Sequence, residues 1–541
     1  MTIAEYLIEA IRETGTKHVF GIQGDYVLNF YSQLCRSPLK IINTCDEQGA
    51  GFAADAYARI TGFGVVCVTY GPGGLKLANS TAQAFAELSP VLVLSGAPGV
   101  SERKGNPLLH HKVRSFRTQL NVFREMTSDQ AVLDNPQTAA ADIDRVIDAI
   151  HKTKRPGYIE LPRDMVDVEI KKPPKPAKTR LSAKKVPVKK PLKKVMDFIN
   201  SAEKPLVIAG VEIHRFGIQK LFSKFLERSR FPFVTGVLAK SVVSENHPQF
   251  VGVYTGAMTP DDVREEVENA DCVISVGPLI TDLSTGIFTA HIKPEQSILL
   301  MPDKLIDRKT CYPCIDMESF LKAMIDAMPE SELPAAQINR HTLPPFAPVK
   351  NKDITMKRLI ECIDTYLRDD TTVIAEPGDP LFAGLDLRVH AMNEFISCAY
   401  YASLGFSVPA AVGLQFAAPD RRPLVLVGDG SFQMTGMELS VAARYGLSPI
   451  VIILNNGGYG TFRAMLDGCF NDIQPWRYAD IVDVIGAGKG FTVSKEEEFA
   501  EALKAAFRNK TSPTIIDVKI SKNDRSSRLK ILNENLKKRI K

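Results

Sequence analysis

The sequence lacks long apolar runs, a signal-peptide layout and a cysteine framework. No apolar run approaches the roughly 18 residues that a membrane span needs, and the first residues lack the basic and apolar regions of a secretory signal. The nine cysteines are scattered. Cys311 and Cys314 form a CxxC motif, but no second pair or histidine cluster accompanies it. We therefore expect a protein of the reducing cytoplasm, with no membrane association and no cysteine metal site.

The positive charge of the chain is concentrated in one segment. The formal net charge is +5, but residues 171–194 hold eleven Lys or Arg, five prolines and no acidic residue, so the remainder carries +5 − 11 = −6. This segment has too few apolar residues for a core and is typical of a solvated linker. It also contains no aromatic residue for stacking on bases, so a nucleic-acid partner is not expected.

The length and composition indicate a multidomain globular protein. A chain of 541 residues exceeds one hydrophobic core and suggests three domains. Hydrophobic residues make up 45% and charged residues 24%, as in soluble enzymes. The predicted boundaries are a first domain at 1–170, a linker at 171–194, a middle domain at 195–332, a linker at 333–352 and a third domain at 353–541.

Short apolar runs typical of buried strands occur in all three blocks and alternate with helical patterns. The runs are 65–69 and 90–95 in the first block, 205–209, 232–235 and 272–276 in the second, and 372–375, 423–427, 449–454 and 514–517 in the third. This alternation predicts an α/β fold of three doubly wound domains with parallel sheets. Apolar residues at steps of three and four from Leu529 to Ile540 predict a terminal helix.

Two polar motifs follow neighbouring strands of the third block. Gly428, Asp429, Gly430 and Ser431 follow the run 423–427, and Asn455–Asn456 ends the run 449–454; residues 434–445 between them have the spacing of a crossover helix. The carboxyl ends of parallel strands share one edge of the sheet, where ligands bind. Carboxylate, amide and carbonyl oxygens are suitable ligands for Mg²⁺, and phosphate oxygens and water usually complete its coordination shell. The sequence therefore predicts a magnesium diphosphate site.

The two motifs resemble the metal-diphosphate motif of the thiamine diphosphate (ThDP) enzymes, and the order of domains resembles that of the ThDP 2-oxo acid decarboxylases. The resemblance implies that Asp429, Asn456 and the Gly458 carbonyl hold Mg²⁺. It places the following residues at the cofactor: Gly428, Gly430, Ser431, Ala402, Leu404 and Tyr459. Of these, Leu404 is the apolar wedge that forces the two cofactor rings together.

The first domain supplies the catalytic residues that the resemblance implies. Glu47 begins an Ala- and Gly-rich segment similar to the family's stretch with the catalytic acid, which acts on the aminopyrimidine ring so that the cofactor carbanion can form. His110–His111 resembles the pair of the pyruvate, indolepyruvate and phenylpyruvate decarboxylase branch, and paired histidines can move protons. Asp25 lies in a segment like the family's F-G-x-P-G-D, with Gln23 in place of proline.

One position departs from the pyruvate decarboxylase pattern. Phe462 stands where those enzymes carry a catalytic glutamate, which makes the expected substrate pocket more apolar. A bacterial phenylpyruvate decarboxylase subtype, which this chain resembles, also has an apolar residue at that position. The resemblance extends to a strand-end stretch of the middle domain that contains Asp282, and Asp282 is our candidate for a carboxylate that replaces the missing glutamate. A turn or helix cap is the alternative for Asp282. Asp379 is expected near the diphosphate or the substrate.

The resemblance implies a carboxy-lyase that converts a bulky or aromatic 2-oxo acid, phenylpyruvate or indole-3-pyruvate, to the aldehyde and CO₂ through a ThDP carbanion-enamine. In that family the cofactor lies between two subunits, so a homodimer is the minimum, and tetramers are common. The alternatives are a decarboxylase of pyruvate or branched-chain acids, a carboligase on the same scaffold, a flavin-bearing relative and a non-catalytic ThDP-binding protein. The turn at 209–214 lacks the glycines of a dinucleotide loop, which disfavours flavin.

Overall fold

Three β-sheets form the framework of the protein. The computed structural model describes residues 1–171, 188–329, 343–463 and 465–540, with the backbone alone for 537–540. Its sheets have six, seven and six strands, joined by helices, which confirms the predicted α/β fold. None of the described helices combines the length and the apolar character that crossing a membrane requires.

The first sheet is parallel throughout, with the strand order β2-β1-β3-β4-β6-β5. Every residue of β3 and β4 is buried, as expected of central strands covered on both faces. The strands are β1 (His18–Ile22), β2 (Lys40–Asn43), β3 (Gly64–Val68), β4 (Val91–Ala97), β5 (Gln130–Val132) and β6 (Gly157–Pro162). The helices are α1 (Ile3–Glu13), α2 (Leu28–Arg36), α3 (Glu47–Thr61), α4 (Pro72–Lys76), α5 (Ala78–Ala86), α6 (Thr118–Arg124) and α7 (Ala139–Thr153).

The middle sheet is mixed, with the order β13-β12-β11-β10-β7-β8-β9. β11, β12 and β13 pair antiparallel, contrary to the predicted parallel sheet, because two-residue turns join them and a parallel crossover needs a longer connection. The strands are β7 (Pro205–Ala209), β8 (Phe233–Thr235), β9 (Phe250–Val253), β10 (Cys272–Val276), β11 (Ser297–Met301), β12 (Lys304–Asp307) and β13 (Thr310–Pro313). The helices are α8 (Lys189–Ser201), α9 (Glu212–Arg215), α10 (Gln219–Ser229), α11 (Asp261–Glu268) and α12 (Met317–Ala327).

The third sheet is parallel, with the order β15-β14-β16-β17-β19-β18. The strands are β14 (Thr371–Ala375), β15 (Phe395–Ser397), β16 (Arg422–Gly428), β17 (Ile450–Asn455), β18 (Lys489–Val493) and β19 (Thr514–Lys519). The helices are α13 (Met356–Tyr366), α14 (Asp379–Gly384), α15 (Ser407–Ala417), α16 (Asp429–Thr435), α17 (Leu439–Arg444), α18 (Gly460–Arg463), α19 (Ile481–Val484), α20 (Glu496–Arg508) and α21 (Ser527–Ile540). The last of these is the terminal helix that the apolar spacing predicts.

The crossover between β16 and β17 is divided, so the prediction of one helix over 434–445 is wrong. α16 begins directly after the strand, a 3₁₀ turn follows at Gly436–Glu438, and α17 completes the crossover. The ring of Phe432 occupies the space that a side chain at Gly436 would need. Glycine weakens helix propagation, and a tighter turn results. Other 3₁₀ turns are Val237–Ala239, Pro294–Gln296, Cys469–Asn471 and Tyr478–Asp480.

The two predicted linkers lie largely outside the described residues, at 172–187 and 330–342. α8 begins at Lys189, inside the segment predicted as a linker, because its Val195 and Ile199 are buried in the middle domain. The predicted domain boundaries otherwise stay predictions.

A buried arginine joins the first and third domains. Arg59 lies in α3, which packs on α15, and its guanidinium is 2.7 Å from Asp55 and 3.0 Å from Glu87. It also donates to the carbonyl of Ser397 over 2.8 Å. Burying a cation is costly unless carboxylates pair with it. The two acids therefore fix how the first and third domains meet.

Helix α21 joins the middle and third domains. Leu529 and Leu532 of this helix are buried against Met258 and Ile287 of the middle domain and Phe382 of α14. The C-terminal segment thus closes the seam between the two domains.

Candidate active site

Asp429 organises the edge of the third sheet. It follows β16, is 1% exposed, and accepts a hydrogen bond at Oδ1 from the Gly430 amide over 2.8 Å. Its Oδ2 accepts from the amides of Gly457 and Gly458, over 2.7 and 3.0 Å. Burial raises the pKa of this carboxyl above its ordinary value, while the backbone donors oppose the rise. One carboxylate thus ties the end of β16 to the loop after β17.

The amide oxygen of Asn456 is the feature of this loop that points to a metal ion. Asn456 Oδ1 is buried and has no hydrogen-bond partner in the described protein. A buried polar atom without a partner is costly, and Mg²⁺ prefers ligands of this kind. Gly458 adopts φ +142°, and a side chain there would overlap the Asn471 carbonyl. The residues therefore fit a divalent cation held by Asp429 and Asn456, with Gly458 beside them.

Small residues keep a cleft open beside the Asp429 turn. A side chain at Gly428 would meet no atom within 4 Å, whereas one at Gly430 would press on the ring of Tyr459. The side chain of Ser431 is buried in the first turn of α16. The space at Gly428 and the hydroxyls of Ser431 and Tyr459 suit the polar tail of a cofactor. Their cofactor role stays a prediction.

Two buried carboxylates position the loop that carries Ala402 and Leu404. Glu87 Oε1 accepts from the amides of Tyr400 and Tyr401 over 2.8 and 2.9 Å. Glu376 accepts from the amides that follow Leu404 in the chain, among them that of Gly405 over 2.6 Å. Ala402 adopts φ +58°, a conformation that costs energy unless the surroundings hold it. Burial raises the pKa of both glutamates.

Asp25 and His110 form a pair at the edge of the first sheet. Nε2 of His110 lies 2.8 Å from Oδ2 of Asp25, and a ligand atom of His111 is within 4.8 Å of both. The ring of Tyr26 stacks on His110 with centroids 4.7 Å apart and planes 15° apart. Nδ1 of His111 is buried and has no partner in the described protein. This set can hold and transfer a proton at one place.

Arg163 contacts both Asp25 and Tyr26 of this set. Its guanidinium is 3.6 Å from Oδ2 of Asp25, lies over the Tyr26 ring at 5.0 Å, and pairs with Glu102. It follows β6, 138 residues after Asp25, and no local pattern signals the contact. Sequence reasoning therefore missed it.

Glu47 begins α3. The Asp46 carboxylate caps the helix by accepting from the Gly49 amide over 2.7 Å. The Glu47 carboxylate is 3.7 Å from Lys76 Nζ, and a side chain at Gly73 would lie 3.3 Å from Glu47 Oε1. Asp25 and Glu47 follow β1 and β2 in the chain, and His111 packs against Gly71, which follows β3. These first-domain residues therefore lie at or beside the carboxyl ends of three neighbouring strands.

Glu438 fixes the entry to α3 from the third domain. Its carboxylate accepts from the amides of Cys45 and Asp46, both over 3.1 Å. Burial raises the pKa of Glu438 to about 7. This residue, which the sequence did not indicate, links the start of the Glu47 helix to the crossover that follows Asp429.

Asp282 lies in a tight turn of the middle domain. It is exposed, and its Oδ1 accepts from the amide of Leu283 over 2.8 Å. The side chains of Thr281 and Ser284 bond each other's amides around it. Both of our interpretations, a turn residue and a replacement carboxylate, fit this placement, and the catalytic role stays a prediction.

Asp379 begins α14, and Phe462 lies in α18. Asp379 is buried beneath α21, and its carboxylate accepts from the amide and the hydroxyl of Ser526. Burial raises its pKa to about 6. It therefore anchors the C-terminal helix, and contact with a cofactor stays a prediction. Phe462, in α18, is 48% exposed and presents its ring to solvent.

Three family models match successive parts of the chain. Residues 1–126 match the N-terminal TPP binding domain of the thiamine pyrophosphate enzymes, residues 192–312 the central domain, and residues 381–518 the C-terminal TPP binding domain.

Similar proteins of known activity match over nearly their full length. The indole-3-pyruvate decarboxylase of Azospirillum brasilense is 31% identical over 96% of this chain and 95% of its own. Pyruvate decarboxylase 4 of Arabidopsis thaliana is 31% identical, and pyruvate decarboxylase 1 of Oryza sativa subsp. japonica 32%, each over 98% of this chain and 90% of its own. The chain therefore belongs to the ThDP-dependent 2-oxo acid decarboxylases and is a carboxy-lyase with ThDP as its cofactor.

Proposed function

We propose that this enzyme decarboxylates a bulky or aromatic 2-oxo acid, phenylpyruvate or indole-3-pyruvate, to the corresponding aldehyde. The observation that carries the proposal is Phe462, a half-exposed aromatic ring at the position where pyruvate decarboxylases have a catalytic glutamate. An apolar wall favours an aromatic side chain and disfavours a small polar acid. A relative that covers nearly the whole chain is an indole-3-pyruvate decarboxylase.

The third domain holds the charged end of the cofactor in this proposal. Asp429, Asn456 and the Gly458 carbonyl bind Mg²⁺, which the unpartnered Asn456 oxygen supports. The remaining contacts come from small or hydroxyl-bearing residues and from the loop that Glu87 and Glu376 position: Gly428, Gly430, Ser431, Tyr459, Ala402 and Leu404. Bound ThDP supplies the electron sink for the electron pair that remains when CO₂ leaves.

The first domain handles protons. Glu47 presents its carboxyl group to the aminopyrimidine ring from the first turn of α3. The Asp25–His110 pair, with His111 beside it, holds a proton between Oδ2 and Nε2 and delivers it to the carbon that has lost CO₂. Asp282 adds a carboxylate from the middle domain in place of the missing glutamate.

The complete site requires at least a homodimer, and we propose a homotetramer. Within the described part of one chain, the side chains of Glu47, Asp25 and His110 make no hydrogen bond to the Asp429 turn or to the loop after β17. A first domain from one subunit and a third domain from another would bring the two halves together. We also expect the enzyme to act in the cytoplasm.

A second candidate function is the decarboxylation of pyruvate, since several relatives are pyruvate decarboxylases. The test is a panel of phenylpyruvate, indole-3-pyruvate, pyruvate and a branched-chain 2-oxo acid, with detection of the aldehyde. The proposal expects the highest kcat/KM for an aromatic acid. A higher value for pyruvate would replace it with the second candidate.

A further inference from the structure

The middle domain contains a cavity of about 450 Å³ that no role described so far uses. We define the middle-domain cavity by Ala209, Gly236, Ser275, Ile280 and Leu299, which lie on its walls, and by Ala399 at its border with the third domain. Its size falls within the range of about 300–1,000 Å³ that small-molecule sites span. We propose that it binds an uncharged, largely apolar molecule with an aromatic ring, and that its occupancy bears on the neighbouring active site.

The cavity lies where the strand order of the middle sheet reverses direction, between β7 and β10. In the middle sheet, β8 and β9 follow β7 on one side while β10 and β11 lie on the other. The loops after β7 and β10 therefore leave the sheet in opposite directions and open a crevice, which is where ligands bind in open α/β sheets. A side chain at Gly210 would overlap the Gly277 carbonyl, so the two loop backbones meet closely at this point. The crevice belongs to the fold and does not depend on side-chain positions.

The chemistry of the walls selects the class of molecule. Apolar side chains line most of the surface, among them Ile208, Leu238, Leu279, Ile292 and Ile306. Among the described residues of the wall, Arg308 is the one cation, and it already pairs with Asp307 over 2.9 Å. An anionic carboxylate or a nucleotide phosphate would therefore find no uncommitted cation among these described residues. Removal of apolar surface from water is the main driving force such a site offers.

Among the described residues that line the cavity, one side-chain polar group is available to a ligand. In the described part of the chain the Ser275 hydroxyl makes no hydrogen bond, although the residue is only 5% exposed. By contrast, the hydroxyls of Thr281 and Ser284 are engaged within their own turn. A single hydroxyl without a hydrogen bond, set among largely apolar walls, suits a molecule with one polar atom at the end of an apolar body, such as an aromatic alcohol or aldehyde.

Two segments connect the cavity to the active site. Ala399 precedes Tyr400 and Tyr401, whose amides Glu87 holds, and Ala402 follows them. Thr281 and Ser284, which also line the cavity, flank Asp282 in the chain. A bound molecule would contact both the loop assigned to the cofactor and the turn that presents Asp282. The suggestion that this molecule resembles an aromatic aldehyde product rests on the proposed function. The binding of an apolar aromatic molecule in the cavity does not.

The test is calorimetric titration of the holoenzyme with 2-phenylethanol, an unreactive, uncharged aromatic probe. Gly236 has an ordinary φ of −75°, and a Cβ there would meet no atom within 4 Å. Gly236→Leu therefore fills the cavity without backbone strain. We expect saturable binding that this variant weakens about tenfold or more, about 1.4 kcal/mol. Val484→Leu, at a site 74% exposed, and Phe462→Ala should both retain the binding.

Two further measurements keep the outcome interpretable. Ser275→Ala, which removes the hydroxyl without adding bulk, should weaken binding about 2- to 10-fold, even if Gly236→Leu does not fold. Phenylacetate, the charged analogue, should bind this cavity more weakly than 2-phenylethanol. The proposal would be overturned if the wild type showed no saturable binding, or if Gly236→Leu and Ser275→Ala both bound 2-phenylethanol as tightly as the wild type. Phenylpyruvate turnover, measured separately, reports on the proposed function, so the two failures are distinguishable.

Discussion

Nε2 of His110 lies 2.8 Å from Oδ2 of Asp25, and Arg163 approaches the same oxygen to 3.6 Å. The histidine is further fixed by the Tyr26 ring that stacks on it, and the Arg163 guanidinium lies 5.0 Å from the centre of the same ring. The pair and the two residues that orient it, Tyr26 and Arg163, therefore come from three separate parts of the first domain.

Arg163→Gln should lower kcat about tenfold with a smaller effect on KM, because the Asp25–His110 pair loses its orientation while the pocket walls remain. Arg163→Lys should recover part of the loss, since it restores the charge without the planar guanidinium. Steady-state kinetics on the preferred acid provide the measurement. Arg12→Gln, at an exposed position of α1, is the control. An unchanged kcat in Arg163→Gln would remove Arg163 from the account.

Asp429→Asn should lower activity by of order 100-fold and weaken the affinity of the enzyme for Mg²⁺. The amide nitrogen would face the donors of Gly457 and Gly458 or, after rotation, that of Gly430. Buried donors would then be left without acceptors. Titration of metal-stripped enzyme with Mg²⁺ and ThDP gives the measurement, and Asp467→Asn, which is exposed, is the matched control. Full activity after exhaustive removal of divalent metal would contradict the magnesium site.

Glu87→Ala should destabilise the protein by about 3–5 kcal/mol. The variant leaves the amides of Tyr400 and Tyr401 without their acceptor and removes one of the two buried carboxylates around Arg59. Denaturant unfolding of the variant and of the exposed control Glu125→Ala gives the comparison. Equal midpoints for the two variants would show that the carboxylate does not hold the domain junction.

Glu438 should make stability depend on pH. Its pKa is raised from 4.5 to about 7 in the folded protein, so the folded state binds this proton more tightly than the unfolded state. The contribution is complete below about pH 4.5 and is lost as pH rises to about 7. Glu438→Gln keeps an acceptor for the Cys45 and Asp46 amides without the charge. It should therefore gain stability relative to wild type between pH 5 and pH 8, by about 1–3 kcal/mol. A difference that does not change with pH would refute this.

Phe462→Glu should shift preference from aromatic acids toward pyruvate. The ring is half-exposed and leaves the core intact when replaced, and loss of an apolar contact costs about 10–200-fold in discrimination. The ratio of kcat/KM for phenylpyruvate and pyruvate is the measurement, with Phe462→Leu as an apolar control. If Phe462→Glu kept the wild-type ratio of the two kcat/KM values, Phe462 would not determine which acid the enzyme prefers.

The buried strands could be predicted from the sequence because each is a short apolar run between polar breaks. The runs 205–209 and 272–276 coincide with β7 and β10. The strands β12 and β13 could not be predicted in this way. They form an antiparallel hairpin at the sheet edge, and β13 is largely exposed, so it carries no continuous apolar signal.

The contact between the Asp429 turn and the loop after β17 could be predicted, because the carboxyl ends of neighbouring parallel strands share one edge of the sheet. Glu87, Glu376 and Glu438 could not. Each accepts hydrogen bonds from backbone amides distant in the chain, as Glu87 does from Tyr400, 313 residues away. A carboxylate that binds a backbone amide leaves no pattern in the partner's sequence. These three carboxylates can therefore be recognised only from the structure.

Comparison of Glu47→Gln with wild-type enzyme, both loaded with ThDP and Mg²⁺, tests the central claim most directly. The variant should still bind ThDP, because the third domain provides the tail contacts, while CO₂ release from the preferred 2-oxo acid should fall about 10²–10⁴-fold. Undiminished CO₂ release by the loaded variant would contradict the account.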